Sequence, residues 1–198
     1  MAPTLVIATT SPTRLALLTA AGIAFTAVPH RVDEGAIRAA LEAEGAHPRD
    51  IADTLAEQKA AKIAAKRPDA VVIGADQVAD LDGRVLSKPG TADALRAQLR
   101  ALRGRDHRLF SAVVVYQEGR PVWRHMGEVR LTMRAVSDAF LEGYVARNPD
   151  AQACAGGYQI EGEGIRLFDS IEGSYFDVLG LPLLPLVGYL TKRGWIDG

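Results

Sequence analysis

The sequence predicts an α/β fold, and three features support this prediction. An apolar run at residues 5–7 stops abruptly and passes straight into a helical pattern. Further apolar runs and amphipathic helical patterns then alternate as far as residue 78, and two later strands are joined by turn residues. With 198 residues, of which 48% are hydrophobic and 24% charged, the chain fits one domain or two closely merged lobes.

The balance of charge limits the classes of partner. The 23 basic and 24 acidic residues leave a net charge of −1, which excludes a general attraction to nucleic acid or to an anionic membrane. We therefore expect neither partner, and any bound anion must be held by a local cluster of cations.

The single cysteine, Cys154, excludes an intrachain disulfide and a Cys-based structural zinc site. Residues 1–3 lack a signal-peptide pattern, and no apolar run approaches the ~20 residues that span a bilayer. These features together predict a cytoplasmic protein.

The first helix begins at a turn rich in hydroxyl groups. Ser11 has the chemistry of an N-cap, Pro12 suits the first helical position, and Gly22 ends the helix. The unpaired N–H groups of the first turn, with the positive end of the helix dipole, form an anion site. Arg14 is either solvated beside an ordinary cap or part of a phosphate-binding turn that also contains Thr13.

Two helices follow a short strand at residues 25–28. Glu34 either favours the first turn of a helix at residues 36–41 or binds a ligand, because it closely follows a strand. The second helix spans residues 48–67, and in it Lys59 points toward the apolar stripe. Its side chain either extends to solvent along that stripe or reaches an anion inside a cleft.

The next strand, at residues 70–78, is apolar except for Asp76 and Gln77. Burying an ion costs several kcal/mol unless a partner or a metal compensates, so Asp76 is better explained by function than by packing. Adjacent strand residues face opposite ways, so both side chains can line one pocket only at a bulge or a strand end. We therefore expect a break there. An internal ion pair of Asp76, far from Ser11, would contradict a catalytic role.

The remaining elements are predicted from caps and turns. They are a hairpin turn at Asp82 and Gly83, a helix at residues 92–102 capped by Thr91, strands at 109–116 and 122–133 joined through 118–121, a helix at 138–147 capped by Ser137, a last strand at 175–178, and a Leu-rich helix after Pro182. The four histidines have no metal-ligand spacing, and we assign none a catalytic role.

A glycine-rich segment at residues 153–164 contains Gln159, Glu161 and Glu163. Glycine allows close backbone approach, so the segment can form part of a ligand site. For Glu163 we favour a role in an ordinary turn.

The polar residues that packing does not explain form one composite set. They are Ser11 to Arg14, Glu34, Lys59, Asp76, Gln77, Lys88, Gln159 and Glu161. Cations and a helix N-terminus neutralise a polyphosphate, two carboxylates hold magnesium, and one carboxylate can act as general base toward water. The set predicts a metal-assisted hydrolase of a nucleoside polyphosphate.

The motifs around these residues resemble those of the Maf family of nucleoside triphosphate pyrophosphatases. The motifs are Ala-Thr-Thr-Ser-Pro-Thr-Arg, Val-Asp-Glu, Gln-Lys-Ala at 58–60, Gly-Ala-Asp-Gln-Val, Asp-Gly followed by Lys-Pro, Ala-Gly-Gly-Tyr-Gln-Ile-Glu-Gly and Gly-Leu-Pro-Leu. They are in register from about residue 5 to residue 190. The set is specific, although no single motif is.

This resemblance implies one Maf-like domain over residues 1–198, with a long mixed sheet and flanking helices in two lobes around a cleft, similar to the inosine triphosphate pyrophosphatases. It implies cleavage between the α- and β-phosphates with a divalent metal, expected to be Mg²⁺, and a homodimer. Asp76 matches the family's proton acceptor. Ser11, Arg14, Lys59 and Lys88 match its phosphate-binding positions, and Glu34 with Asp76 matches the metal region.

Three positions that the family associates with substrate choice are here Thr13, Gln77 and Glu161. The last two match the branch that resembles 7-methyl-GTP pyrophosphatases, and a carboxylate can accept from the adjacent N–H donors of guanine. We therefore expect 7-methyl-GTP or another non-standard nucleotide as substrate, removed as house-cleaning. The alternatives are a dTTP/UTP pyrophosphatase and a non-catalytic nucleotide-binding regulator of septum formation.

Overall fold

A computed structural model describes residues 3–197, which form seven strands and seven α-helices around a mixed sheet. The strands are β1 (Leu5–Ala8), β2 (Thr26–Ala27), β3 (Val71–Leu81), β4 (Arg84–Leu86), β5 (Asp106–Gln117), β6 (Arg120–Met133) and β7 (Phe168–Glu172). The helices are α1 (Pro12–Ala20), α2 (Glu34–Ala43), α3 (Pro48–Ala64), α4 (Ala92–Leu102), α5 (Asp138–Arg147), α6 (Tyr175–Val178) and α7 (Leu183–Lys192). Short 3-10 helices lie at Pro149–Ala153 and Glu163–Leu167.

The sheet has the order β2-β1-β3-β5-β6-β7, and β4 pairs with the end of β3. The pairings of β1 with β2 and with β3 are parallel, and the others are antiparallel. The structure thus confirms the predicted α/β class and the long mixed sheet.

Apolar side chains form three clusters along the long central strands. One packs α3 against one face of β1, β3 and β5, and a second packs α1 and α7 against the opposite face. The third lies at the far end of β3, β5 and β6, where α4 and α5 cover the sheet. This arrangement produces the two expected lobes, because the long strands extend from one group of helices to the other.

Gly74 sets the distance between α3 and β3. A Cβ atom at this position would lie 2.2 Å from the carbonyl oxygen of Ala56 and 2.7 Å from the backbone nitrogen of Ala60. Only glycine therefore permits this close approach of helix and strand. The approach matters for the site, because Lys59 lies on the same segment of α3 and Asp76 lies two residues along β3 on the same face.

One edge of β3 is open near its centre. On that edge β1 ends with Ala8 opposite Gly74, and β4 begins to pair only at Ala79. Residues 75–78 therefore have no strand neighbour there within the described chain, although β5 pairs with all of them on the other edge. Backbone groups of β3 are consequently accessible to side chains and to a ligand at this point.

Most of the predicted elements are present with their caps, including Ser11, Thr91 and Ser137 at three helix starts. The prediction of a last strand at residues 175–178 is wrong, since these residues form the one-turn helix α6. Aromatic and β-branched residues favour a strand locally, but the hydroxyl of Ser174 accepts from Phe176 N at 3.3 Å and caps a helix. The last strand is instead β7.

No helix within residues 3–197 is both long enough and apolar enough to cross a membrane.

Candidate active site

A cavity of about 550 Å³ lies beside the open edge of β3. All of the side chains predicted from the sequence line it. They are Ser11, Thr13, Arg14, Glu34, Lys59, Asp76, Gln77, Lys88, Gln159 and Glu161. The fold thus gathers polar groups from α1, α2, α3, β3, the segment between β4 and α4, and the glycine-rich segment. These residues were predicted from their chemistry and from the family motifs, and the structure shows that they line one cavity.

A buried ion pair forms the floor of this cavity. The Lys59 ammonium lies 2.5 Å from Oδ1 of Asp76 and 3.1 Å from Oε1 of Glu34, so it bridges the two carboxylates. The side chains of Lys59 and Asp76 are only 4% and 7% exposed. Of the two open interpretations of Lys59, the structure supports the one in which it reaches into a cleft. There it contacts carboxylates of the protein, and its contact with a phosphate stays a prediction.

Asp76 therefore forms an internal ion pair, which would contradict a catalytic role if it lay far from Ser11, but it does not lie far from the first helix. Both Ser11 and Asp76 line the same cavity. The second oxygen of Asp76, Oδ2, is buried and has no hydrogen-bond partner among the described residues. Buried carboxylate oxygens are normally satisfied, so this orphaned acceptor indicates a group that a ligand, a metal or water completes.

Glu34 and His30 extend the charged network. Burial would raise the pKa of Glu34, but the charge and hydrogen bond of Lys59 outweigh it and leave the pKa below its ordinary value. Nε2 of His30 lies 3.4 Å from Oε1 of Glu34. Burial, and then the Lys59 charge, lower the pKa of His30, which favours a neutral imidazole. His30 was assigned no catalytic role from the sequence, although, like Glu34, it closely follows a strand.

Arg14 fills the gap at the open edge of β3. Its Nη1 donates to the carbonyl of Ala75 at 3.0 Å, and its Nε donates to the carbonyl of Gly180 at 2.7 Å. The guanidinium thus donates to the edge of β3 just beyond Gly74, where β1 has ended and no longer pairs with that edge. Burial lowers the pKa of Arg14, and the charge of Asp76 opposes that effect. The alternative of an ordinary solvated Arg14 is therefore wrong, and its contact with phosphate stays a prediction.

The predicted break at Asp76 and Gln77 is wrong, because β3 continues in regular register with β5 through both residues. Asp76 faces α3, and Gln77 faces the opposite side of the sheet. There Gln77 Nε2 donates at 2.9 Å to the carbonyls of Asp177 and Val178 and at 3.0 Å to Ser111 Oγ. Both side chains line one cavity without a bulge because the edge of the strand between them is open.

The glycine-rich segment folds back on itself beside the cavity. A Cβ atom at Gly164 would lie 2.4 Å from the carbonyl oxygen of Gln159, so glycine is required there. Tyr158 anchors the segment to the sheet, since its hydroxyl lies 2.7 Å from Nε2 of the buried His107. Gln159 and the exposed Glu161 are thereby left at the cavity wall.

Glu163 fastens the other end of this segment. Its carboxylate accepts from Arg147 Nη2 at 2.6 Å, from Asn148 Nδ2 at 2.9 Å and from Arg166 Nη1 at 3.0 Å. The hydrogen bonds from Arg147 and Asn148 lower the pKa of Glu163 to about 2. The structural role that we favoured for Glu163 agrees with these contacts.

A further arginine, Arg38, lines the cavity and was not predicted from the sequence. Arg38 lies on α2 one turn after Glu34, and its Nη1 donates to Ser87 Oγ at 3.1 Å. The only sequence signal is its helical spacing from Glu34, which an ordinary solvated arginine would share.

The carboxylates of this cavity can be tested as metal ligands. Among the described side chains, no group of three or more His, Cys, Asp or Glu residues is arranged to hold a metal ion. Glu34 and Asp76 nevertheless contact the same ammonium, and Asp76 Oδ2 is unsatisfied. Two carboxylates suit magnesium, which is usually held by one or two carboxylates with waters and substrate phosphates.

The mixed sheet and its cavity define a class, namely α/β proteins with a charged, partly buried polar site beside an open sheet edge. The family model described as "Maf-like protein" matches residues 4–193, and the chain belongs to this family. This confirms the family that the sequence motifs predicted.

Individual relatives agree over the full length of the chain. The chain is 53% identical over 194 residues, 98% of each chain, to a protein of Ruegeria pomeroyi named nucleoside triphosphate pyrophosphatase. It is 50% identical over 189 residues to a Caulobacter vibrioides protein of the same name, covering 95% of this chain and 94% of the relative. It is 44% identical over 199 residues, the whole of both chains, to a Rhizobium etli protein named 7-methyl-GTP pyrophosphatase.

Proposed function

We propose that this protein is a nucleoside triphosphate pyrophosphatase, which hydrolyses its substrate to the nucleoside monophosphate and pyrophosphate. The observation that most supports this is the buried Asp76, whose unsatisfied Oδ2 lies in a cavity lined by four cationic side chains. The names of the Ruegeria pomeroyi and Caulobacter vibrioides relatives support the same activity.

In this proposal Asp76 is the general base. A water attacks the α-phosphorus, the bond between that phosphorus and the bridging oxygen breaks, and pyrophosphate leaves. The proton of the water passes to Oδ2 of Asp76, which is the carboxylate oxygen without a partner in the described chain. Lys59 holds the other oxygen and so fixes the orientation of the carboxylate.

A divalent metal, Mg²⁺, fits the residues present, and Glu34 and Asp76 would hold it. The cavity lining contains as many carboxylates as cationic groups: Glu34, Asp76, Asp150 and Glu161 against Arg14, Arg38, Lys59 and Lys88. A cavity with this balance does not neutralise a triphosphate, which carries several negative charges. The metal would supply that missing positive charge and would polarise the phosphoryl oxygens.

For the nucleotide, we propose 7-methyl-GTP or another non-standard purine triphosphate. Glu161 is exposed at the cavity wall, where its carboxylate can accept from the adjacent N–H groups of a guanine edge. The name of the Rhizobium etli relative supports this choice. Gln77 contributes differently, because its amide nitrogen already donates to three acceptors in the protein and only its oxygen is available to a ligand.

A panel of nucleoside triphosphates with magnesium and full product analysis tests this proposal. We expect monophosphate and pyrophosphate in equal amounts, formed fastest from 7-methyl-GTP. Release of diphosphate and phosphate would contradict the reaction, and fastest cleavage of dTTP or UTP would contradict the purine preference. A septum regulator that only binds nucleotides would release no pyrophosphate from any member of the panel.

The homodimer and the cytoplasmic location also stay predictions.

A further inference from the structure

Four cationic side chains line the cavity, but two of them are already engaged. Lys59 bridges Asp76 and Glu34, at 2.5 and 3.1 Å. Arg14 donates from Nε and Nη1 to two backbone carbonyls and completes the open edge of β3. Neither side chain can turn fully toward a ligand without losing contacts that hold the site together.

The other two, Arg38 and Lys88, lack an acidic partner among the described residues. Arg38 makes one hydrogen bond, from Nη1 to Ser87 Oγ at 3.1 Å, and its Nε is buried without any partner in the described chain. A guanidinium has five N–H donors, and a buried donor without an acceptor is unfavourable. Lys88 is exposed, and it follows Ser87 directly in the chain.

The Ser87 hydroxyl accepts this hydrogen bond from Arg38, and Ser87 directly precedes Lys88 in the chain. It holds the guanidinium of Arg38, from α2, beside the segment that presents Lys88. Phosphate oxygens are the acceptors that suit such a pair, because a guanidinium binds them in a bidentate manner and an ammonium adds a compact charge.

We propose that Arg38 is a substrate-binding residue and that, with Lys88, it holds the leaving pyrophosphate. This inference rests on the proposed function for the identity of the leaving group. The α-phosphate must lie beside Asp76, where Lys59 already supplies a positive charge. The β- and γ-phosphates need cations with unused donors, and Arg38 and Lys88 have them.

Calorimetric titration of the full-length protein with inorganic pyrophosphate, and separately with the nucleoside monophosphate, tests this inference. Removing a charge-assisted contact to phosphate in Arg38→Gln should weaken pyrophosphate binding about tenfold or more, with monophosphate binding unchanged. Arg38→Lys should retain an intermediate affinity. Ser87→Ala keeps the charge and should weaken pyrophosphate binding less than Arg38→Gln does. Arg49→Gln is the matched control, since Arg49 is exposed and does not line the cavity.

Unchanged pyrophosphate affinity in Arg38→Gln would overturn the inference, and so would equal weakening of pyrophosphate and monophosphate binding. Thermal unfolding of each variant checks the fold. If Arg38→Gln does not fold, pyrophosphate binding is compared in Arg38→Lys and Ser87→Ala, and an unchanged affinity in both would overturn the inference. Failure of the proposed function would be seen differently, because the wild-type protein would then release no pyrophosphate from any nucleotide.

Discussion

The ammonium of Lys59 lies 2.5 Å from the carboxylate of Asp76, and both side chains are almost completely buried. Gly74 permits this pair, because it brings α3 close enough to β3 for a helix residue to reach the strand. The same pair leaves one oxygen of Asp76 in the cavity without a hydrogen-bond partner in the described chain.

Removing the cation should destabilise the protein strongly. Lys59→Met is similar in size but leaves Asp76 as a buried charge, so we expect the free energy of unfolding to fall by about 3–5 kcal/mol. Urea denaturation measures this. Arg124→Gln is the control, because Arg124 forms partly exposed ion pairs with Asp53 and Glu57, and the loss there should be about 1 kcal/mol or less. Equal losses in the two variants would show that the buried pair contributes no more than a surface pair.

Gly74→Ala should prevent α3 from packing normally on β3. Its Cβ atom would lie 2.2 Å from the carbonyl oxygen of Ala56, which is backbone and cannot move aside alone. We expect a loss of about 3 kcal/mol in the free energy of unfolding, at the upper end of the usual range for overpacked core positions, because the added atom meets backbone. Gly188→Ala is the matched control in α7, because nothing lies within 4 Å of its added Cβ. It should stabilise the helix by up to about 1 kcal/mol, and similar unfolding of both variants would contradict the packing argument.

His107 should make the protein sensitive to acid. Burial lowers the pKa of His107 from 6.5 to about 4, so below about pH 6.5 the unfolded chain binds a proton that the folded protein does not. Stability should therefore be full above the unfolded pKa and decline as the pH falls toward the folded pKa. Between about pH 7 and pH 5 the loss due to this residue is about 2 kcal/mol.

Denaturation of the wild-type protein and His107→Gln at these two pH values isolates this effect. Glutamine can keep a hydrogen bond to Tyr158 but does not titrate, so the variant should lose less stability on acidification. Parallel losses in both proteins would assign the acid sensitivity to other groups.

Glu161→Gln should reduce nucleotide discrimination without changing the fold, since the side chain is exposed at the cavity wall. If its carboxylate accepts from a guanine edge, the preference in kcat/KM for 7-methyl-GTP over dTTP should fall about tenfold or more. Glu44→Gln, an exposed position at the end of α2 outside the cavity lining, is the control. An unchanged preference would remove Glu161 from base recognition.

Part of the candidate site was predictable because some of its signals are local. Asp76 is a carboxylate within an apolar strand, and Ser11 with Pro12 marks a helix start, so each could be recognised from its neighbours in sequence. Both residues line the cavity. Lys88 and Glu161 carry no such local signal, and they were predicted from their residue chemistry and from the family motifs.

What the sequence could not predict depends on where distant elements end. The open edge of β3 exists because β1 stops opposite Gly74, and this determines both the anchoring role of Arg14 and the absence of a break at Gln77. Arg38 was missed for a related reason, since only the folded chain places it beside Ser87. The residues of α6 favour a strand by their own preferences, and the cap at Ser174 overrides them.

The most direct test of the central claim compares Asp76→Asn with Asp80→Asn. Both carboxylates are buried on the same face of β3, but Asp80 Oδ1 accepts from Gly83 N at 2.7 Å in a turn and does not line the cavity. The rate of pyrophosphate release from the best nucleotide should fall by about two to four powers of ten in Asp76→Asn. The rate should stay near that of the wild-type protein in Asp80→Asn, because asparagine keeps the accepting oxygen. A folded Asp76→Asn protein that releases pyrophosphate at the wild-type rate would contradict the role of Asp76 as general base.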